Sequence, residues 1–205
     1  MRQPVWSVPR EWVGETAYIL GGGPSLASVD VRSLPGRIIV INNSWLLRPD
    51  ADVLYFCDLA WWQAHGAAVK AGFRGEYIAS IGDVHDEAVK RLRNGGPTGL
   101  DLRPDNLRHG SNSGYQAINL AVHFGAARIV LLGYDMKTDG DKTHWHEGHG
   151  VEAAIVQHGL EKRMIPHFDA LVEPLKTEGV EIVNATEGSA LKCFPMRALS
   201  AIEAA

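Results

Sequence analysis

Short apolar runs, each followed by glycine or a small polar residue, recur along the chain. The clearest are TAYIL at 16–20, RIIVI at 37–41, DVLYFC at 52–57 and RIVLL at 128–132. Runs of this length rich in β-forming residues predict strands, and their lack of alternation indicates burial on both faces. The weaker runs at 76–80 and 180–183 predict two more strands.

Segments of helical pattern separate these strands. The stretch 59–70 predicts one helix, and the stretch from Ser113 predicts another that stops at Gly125, a usual residue after a helix end. Further helices are predicted over 86–93, over 151–177 with an interruption near Pro166, and over 195–205. This alternation predicts an α/β protein, a three-layer Rossmann-like domain with a mainly parallel sheet.

Composition narrows the class of protein. A chain of 205 residues with 45% hydrophobic content fits one domain over 1–205, with the aperiodic segment 136–150 as a functional loop. The net charge of -4 gives no basic field, so nucleic-acid binding is not predicted. The two cysteines lie in apolar stretches, and the chain shows neither a signal-peptide core nor an apolar run of about 18 residues. We therefore expect a cytoplasmic protein.

Polar residues collect where the predicted strands end. Ligands of open parallel sheets bind outside the carboxyl ends of the strands, so these residues are candidates for one site. The candidate nucleotide-binding residues are Gly21, Gly22, Gly23, Pro24, Ser25, Asn42, Asn43, Asp58, Ser111, Asn112, Ser113 and Gly133. Ser44, Asp135 and the stretch 184–189 also follow predicted strands.

The glycine-rich stretch GGGPSL at 21–26 departs from the dinucleotide fingerprint. Leu26 stands at the third glycine position, and Asn42 rather than an acidic residue follows the second strand. The sequence also lacks the GxxxxGK[ST] phosphate loop. An NAD dehydrogenase and a Walker-type kinase are therefore disfavoured, whereas backbone amides that face a phosphate and a purely structural turn both remain open.

The residues before the second predicted helix allow two interpretations. Ser111, Asn112 and Ser113 could cap that helix or bind an anionic group at its N-terminus. Farther back, Trp61 and Trp62 follow Asp58 on a predicted helix. One of these indole rings would face the core, and the other could form a stacking wall for a base or sugar.

Three histidines stand close together in the aperiodic segment. His144, His146 and His149 could provide a catalytic base, ligate a metal or simply be solvated. We choose His144 as the general base, because a near-neutral imidazole can take a proton from an attacking hydroxyl. Asp139 and Asp141 resemble a carboxylate pair that could hold Mg²⁺ or Mn²⁺.

Taken together, these motifs resemble the bacterial sialyltransferases of glycosyltransferase family 42, the MptE-like pterin diphosphokinases and small phage-encoded relatives. The resemblance lies in GGGPSL, the asparagines after the second strand, the Ser-Gly helix start and the strand that ends in Gly-Tyr-Asp. It extends to the C-terminal stretches 184–186, 189–191 and 194–195. It covers most of the chain in scattered motifs.

For the transferases, the resemblance implies a CMP-sugar donor and a histidine base beyond the Gly-Tyr-Asp strand. The donor would be held by Gly21, Gly23, Pro24, Ser25, Asn42, Ser111, Asn112 and Ser113, and the base would be His144, His146 or His149. The transferases also set a pair of tyrosines against the donor phosphate, whereas here no tyrosine follows Tyr134. A metal ion or Lys142 would then have to stabilise the leaving group.

The leading expectation is therefore glycosyltransferase-like transfer from a nucleotide or nucleotide-sugar donor to an unidentified hydroxyl acceptor, with Asp135 and the three histidines as catalytic candidates. One alternative is a metal-dependent diphosphokinase that uses ATP on a pterin-like or nucleoside substrate. In that enzyme, a divalent ion would be bound by Asp58, Asp135 and the Asp139/Asp141 pair. A second alternative is a non-enzymatic nucleotide-binding or phage-associated protein. Exposed tryptophans could also support a homo-oligomer.

Overall fold

The structure, a computed structural model, describes residues 4–146 and 152–203 and is built on a seven-stranded parallel sheet. The strands of this sheet are β1 (Thr16–Leu20), β2 (Arg37–Ile41), β3 (Val53–Phe56), β4 (Tyr77–Ser80), β5 (Val89–Arg91), β8 (Arg128–Leu132) and β9 (Glu181–Asn184). They run in the order β5-β4-β3-β2-β1-β8-β9. The short strands β6 (Arg93–Asn94) and β7 (Asn106–Leu107) pair separately. The predicted α/β fold with a mainly parallel sheet is confirmed.

Helices cover both faces of the sheet. Successive strand residues alternate between two cores, so that Ile19 and Leu131 lie in one and Leu20 and Leu132 in the other. The first core packs against α2 (Ser113–Phe124) and α4 (Ile165–Thr177), and the second against α1 (Leu59–Gly72) and α5 (Leu199–Glu203). Burial on both faces explains why the strand sequences are continuously apolar.

The helix predicted over 86–93 is wrong. This segment forms β5 and β6, with Val89 paired to Ile78 of β4 and Arg93 paired to Asn106 of β7. Val89 and Leu92 are buried on the two faces of the sheet, and these long-range contacts outweigh a weak local helix propensity. The strand β5 therefore forms one edge of the seven-stranded sheet.

The long C-terminal helical stretch is not broken near Pro166 but changes its helix type. The helix α3 (Ala153–Gly159) continues into a π-helical turn (Leu160–Met164), and α4 follows directly at Ile165. Pro166 lies just after this π-helical turn, and a proline removes one backbone hydrogen bond from a helix. The last helix begins at Leu199, four residues later than predicted. None of the helices in the described ranges is long and apolar enough to cross a bilayer.

The chain order reverses between β1 and β8. From β1 the chain builds β2, β3, β4 and β5 to one side, and it later returns to add β8 and β9 on the other. Leu20 at the end of β1 lies opposite Leu132 at the end of β8. Such a switch point leaves a crevice outside the carboxyl ends of the two strands, the usual position of a ligand in open α/β sheets.

The buried His123 of α2 couples the stability of this fold to pH. Burial lowers the pKa of its imidazole, so the unfolded chain binds a proton at a higher pH than the folded protein. Neutral His123 therefore makes its full contribution to the free energy of unfolding above the pKa of the unfolded chain, about 6.5. This contribution is lost as the pH falls through the lower pKa of the folded protein.

We expect His123→Gln to flatten the fall in the free energy of unfolding below about pH 6.5. One proton can supply at most about 1.4 kcal/mol per pH unit of that slope. Urea unfolding at a series of pH values measures it, and His158→Gln on the exposed side of α3 is the matched control. Equal slopes for wild type and His123→Gln would contradict the assignment.

Candidate functional site

The segments that follow β1 and β8 stay in contact beyond the sheet. The amide of Gly21 donates to the Leu132 carbonyl oxygen at 2.8 Å, and the amide of Gly23 donates to the Gly133 oxygen at 2.9 Å. We call Gly21, Gly22 and Gly23 the glycine loop. These bonds carry the pairing of the two strands forward to the mouth of the crevice.

A buried carboxylate fixes the far end of the glycine loop. Asp135, 6% exposed, accepts the Ser25 amide at 3.1 Å on Oδ1 and the Ser25 hydroxyl at 2.8 Å on Oδ2. Pro24 starts the 3₁₀ turn to which Ser25 belongs. The sequence candidates Pro24, Ser25 and Asp135 therefore lie together, and the carboxylate holds the loop in place.

Two of the three loop glycines leave no room for a side chain. A Cβ on Gly21 would lie 2.6 Å from the Gly133 oxygen, and one on Gly23 would lie 1.9 Å from Asp135 Oδ2. Gly133 itself has a φ of 68°, a left-handed conformation that favours glycine. A Cβ on Gly22 would instead approach the His144 ring at 3.0 Å. Gly22 therefore faces the histidine segment rather than the sheet.

Asn42, directly after β2, carries an unsatisfied polar atom. Its backbone is left-handed with a φ of 49°, and within the described ranges its buried side-chain oxygen Oδ1 has no hydrogen-bond partner. Leaving a buried acceptor unpaired costs about 1–3 kcal/mol. A donor group on a ligand would remove this cost, so Asn42 is the strongest single indication of a binding site.

Asn43 and Ser44 hold other parts of the site instead. The Asn43 oxygen accepts the Trp61 indole N–H at 2.9 Å, and its Nδ2 lies 3.3 Å from His146 Nε2. The buried Ser44 hydroxyl donates to the Gly21 oxygen at 2.5 Å. The two asparagines differ: Asn43 is engaged within the protein on both amide atoms, whereas the Asn42 oxygen is not.

The aperiodic segment returns to the glycine loop through Trp145. The amide of Trp145 donates to the Gly22 carbonyl oxygen at 3.1 Å, and its indole N–H donates to Ser44 Oγ at 3.1 Å. Sequence reasoning counted Ser44 among the polar residues at strand ends but missed Trp145 as a site residue. The only signal for Trp145 was its place between two candidate histidines, because its contacts join positions far apart in the chain.

Trp145 brings its two neighbouring histidines to the crevice. The rings of His144 and His146 lie 5.4 Å apart between centroids, and His144 Nδ1 lies 2.9 Å from Thr143 Oγ1. His149, the third candidate, lies outside the described residues. Two of the three predicted histidines thus stand at the switch point beside the glycine loop.

The structure offers less support for a preformed metal site. Asp139 and Asp141 are exposed on a turn in which the Asp139 amide donates to the Lys142 oxygen at 2.9 Å. Over residues 4–146 and 152–203, no three His, Cys, Asp or Glu side chains are grouped closely enough to hold an ion. A role for Mg²⁺ or Mn²⁺ stays a prediction.

The residues before α2 divide between capping and other contacts. Asn112 Oδ1 accepts the Tyr115 amide at 2.8 Å, which makes Asn112 the helix cap. The Ser113 hydroxyl donates to Cys57 Sγ at 3.1 Å, and burial raises the pKa of that thiol to about 11. Ser111, with a φ of 60°, places its hydroxyl 3.3 Å from His167 Nε2.

The remaining strand-end residues have separate positions. Asp58 is exposed before α1, and its side chain caps no helix amide in the described structure. After β9, Asn184 Nδ2 donates to Ser189 Oγ at 3.0 Å, and Ser189 Oγ donates to the Tyr134 oxygen at 2.5 Å. Both Asn184 and Ser189 are fully buried. They support the segment after β8 and do not line the crevice.

The fold is similar to that of solved sialyltransferase structures. The chain is similar to the sialyltransferase CstII from Campylobacter jejuni in complex with the substrate analogue cytidine-5'-monophosphate, with a TM-score of 0.54 and 14% identity over 91% of this chain and 86% of that chain. It is also similar to CST-II in complex with a trisaccharide acceptor and CMP, with a TM-score of 0.52 and 15% identity over 89% and 86%. No family model and no curated protein matches the sequence. At this identity the likeness shows a sialyltransferase-like fold.

The tight packing around Gly23 leads to a prediction for stability. Gly23→Ala should displace Asp135, break both bonds to Ser25 and lower the free energy of unfolding by at least about 2 kcal/mol. Gly22→Ala is the matched control, since its methyl group meets only one edge of the His144 ring. Urea unfolding of both variants tests the packing. A Gly23→Ala protein as stable as Gly22→Ala would contradict it.

Proposed function

We propose that this protein transfers a sugar from a CMP-sugar donor to a hydroxyl acceptor, with the reaction at the carboxyl ends of β1 and β8. One observation carries the proposal: the glycine loop and two imidazoles meet at the switch point of a sialyltransferase-like fold, and the unpaired Asn42 oxygen lies at the end of β2, the strand next to β1. Two proteins of similar fold are described as complexes with CMP, which supports this choice of nucleotide.

The Asn42 oxygen is an acceptor, so it selects for a donor on the nucleotide. A ribose hydroxyl and the exocyclic amino group of cytosine are both suitable donors. Because the oxygen is buried, a hydrogen bond from such a group would satisfy an atom that is otherwise unpaired. In this proposal Asn42 binds the nucleoside, and the glycine loop lies nearer the phosphate.

The transfer needs a base for the acceptor and support for the leaving group. The acceptor oxygen forms a bond to the anomeric carbon as the bond from that carbon to the phosphate oxygen breaks. The electron pair of the broken bond leaves with CMP, and the acceptor proton passes to His144. A neutral imidazole suits that proton transfer near pH 7. Asp135 acts in this scheme through Ser25, by holding the glycine loop.

Calorimetric titration with CMP tests the donor site. We expect wild type to bind CMP without a divalent ion and Asn42→Gly to bind it roughly tenfold more weakly. Glycine is chosen because it retains the left-handed backbone of residue 42 while it removes the amide. Binding of ATP that requires Mg²⁺ or Mn²⁺, with none of CMP, would favour a diphosphokinase. Absence of binding to any nucleotide would overturn the proposal.

Removal of the base should separate turnover from binding. His144→Ala should lower the release of CMP from a CMP-sugar, to water or to a panel of hydroxyl acceptors, by about 10²–10⁴-fold. Its affinity for CMP should stay within about threefold of wild type, because a general base contributes mainly in the transition state. His85→Ala, with a side chain 60% exposed, is the control. Unchanged turnover in His144→Ala would exclude His144 as the base.

A further inference from the structure

Three side chains from distant parts of the chain form a line of hydrogen bonds at the site. The Trp61 indole N–H of α1 donates to Asn43 Oδ1 at 2.9 Å. On the other side of the same amide, Nδ2 lies 3.3 Å from Nε2 of His146. The first of these bonds decides the chemistry of the last, because an indole N–H can only donate.

The line of bonds sets the tautomer of His146. Since the atom of Asn43 that faces Trp61 must be an acceptor, it is the oxygen, and the amide NH₂ must face His146. The NH₂ group can only donate, so His146 Nε2 must accept. A neutral imidazole whose Nε2 accepts carries its proton on Nδ1.

The backbone and its neighbours hold this ring beside the glycine loop. Trp145, the preceding residue, is bonded to the Gly22 oxygen through its amide and to Ser44 through its indole. Ser44 in turn is bonded to the Gly21 oxygen. The His144 ring lies 5.4 Å away between ring centroids. His146 is thus fixed both in place and in protonation pattern.

We propose that His146 donates a hydrogen bond from Nδ1–H to the phosphate of the nucleotide, and that Trp61 and Asn43 are positioning residues that keep this proton on Nδ1. The inference rests on the proposed function. As the bond from sugar to phosphate breaks, the electron pair goes to the phosphate oxygen and the acceptor proton goes to His144. His146 keeps its own proton throughout and stabilises the charge that develops on the phosphate.

This role differs from that of a base. The Nε2 lone pair, which a base would use, already accepts the Asn43 amide. A neutral imidazole that serves as a hydrogen-bond donor has precedent in enzymes that polarise a substrate oxygen. In this proposal the two histidines have different roles: His144 is the base, and His146 is the hydrogen-bond donor to the phosphate.

Nitrogen NMR of the protein labelled with ¹⁵N-histidine reads the tautomer without any ligand. Wild type should show His146 as the Nδ1–H tautomer near neutral pH. Trp61→Phe frees the Asn43 amide to rotate and should give a mixture. Asn43→Asp presents only acceptors and should move the proton to Nε2. Trp62→Phe is the matched control, because Trp62 stacks on Phe56 and its indole N–H is hydrogen-bonded to Asp86 rather than to Asn43. An Nε2–H tautomer in wild type, or no change in Trp61→Phe, would overturn the proposal.

Titration with CMP and with cytidine tests the role at the phosphate. Asn43→Asp should weaken CMP binding roughly tenfold. Trp61→Phe, which adds no charge, should weaken CMP binding only in proportion to the Nδ1–H tautomer that is lost, about twofold for an equal mixture, and should leave cytidine binding unchanged. Equal losses for both ligands would mean a merely structural effect and would overturn the role of His146 alone. Failure of wild type to bind CMP or cytidine would instead overturn the proposed function, and with it the phosphate role, whichever tautomer the spectrum shows.

Discussion

The strands β1 and β8 remain hydrogen-bonded through the residues that follow them. The amide of Gly21 donates to the oxygen of Leu132, the last residue of β8, the amide of Gly23 donates to the Gly133 oxygen, and Asp135 then binds Ser25. This close approach is possible only without side chains at Gly21 and Gly23. The rest of the site is arranged on this pair of joined segments: Ser44 binds the Gly21 oxygen and Trp145 binds the Gly22 oxygen.

Adjacent residues at the site have different roles. Asn42 and Asn43 follow the same strand, yet Asn43 is used to hold His146 while the Asn42 oxygen has no partner in the described structure. In the same way Trp62 packs in the core against Phe56, while Trp61 turns its indole N–H towards the site. In each pair, one residue contacts other parts of the protein, and its neighbour has a polar group directed to the site.

Local pattern was enough to predict much of this architecture. The bounds of β1, β2 and β8 and the end of α2 at Gly125 follow from short apolar runs and a terminal glycine. The helix predicted over 86–93 failed because pairing with β4 and β7 decides the conformation there. Such pairing has no signature in the segment itself, since its partners are supplied by other parts of the chain.

The site shows the same limit in another form. The pattern of polar residues at strand ends indicated Gly21–Ser25, Asn42 and the histidine segment, but it could not show which atoms would already be engaged. Asn43 meets His146 across a separation of 103 residues, and Ser44 meets Trp145 across 101. Asn184 and Ser189 share the strand-end pattern yet are buried in support of Tyr134. Only the fold distinguishes a supporting polar group from one left for a ligand.

The central claim is that a cytidine nucleotide binds across the carboxyl ends of β1 and β2, between the glycine loop and Asn42. A crystal structure of the protein grown with CMP tests it most directly. We expect a nucleoside group that donates to Asn42 Oδ1 and a phosphate beside the glycine loop and His146. CMP bound elsewhere on the protein, with the Asn42 oxygen still unpaired, would contradict it.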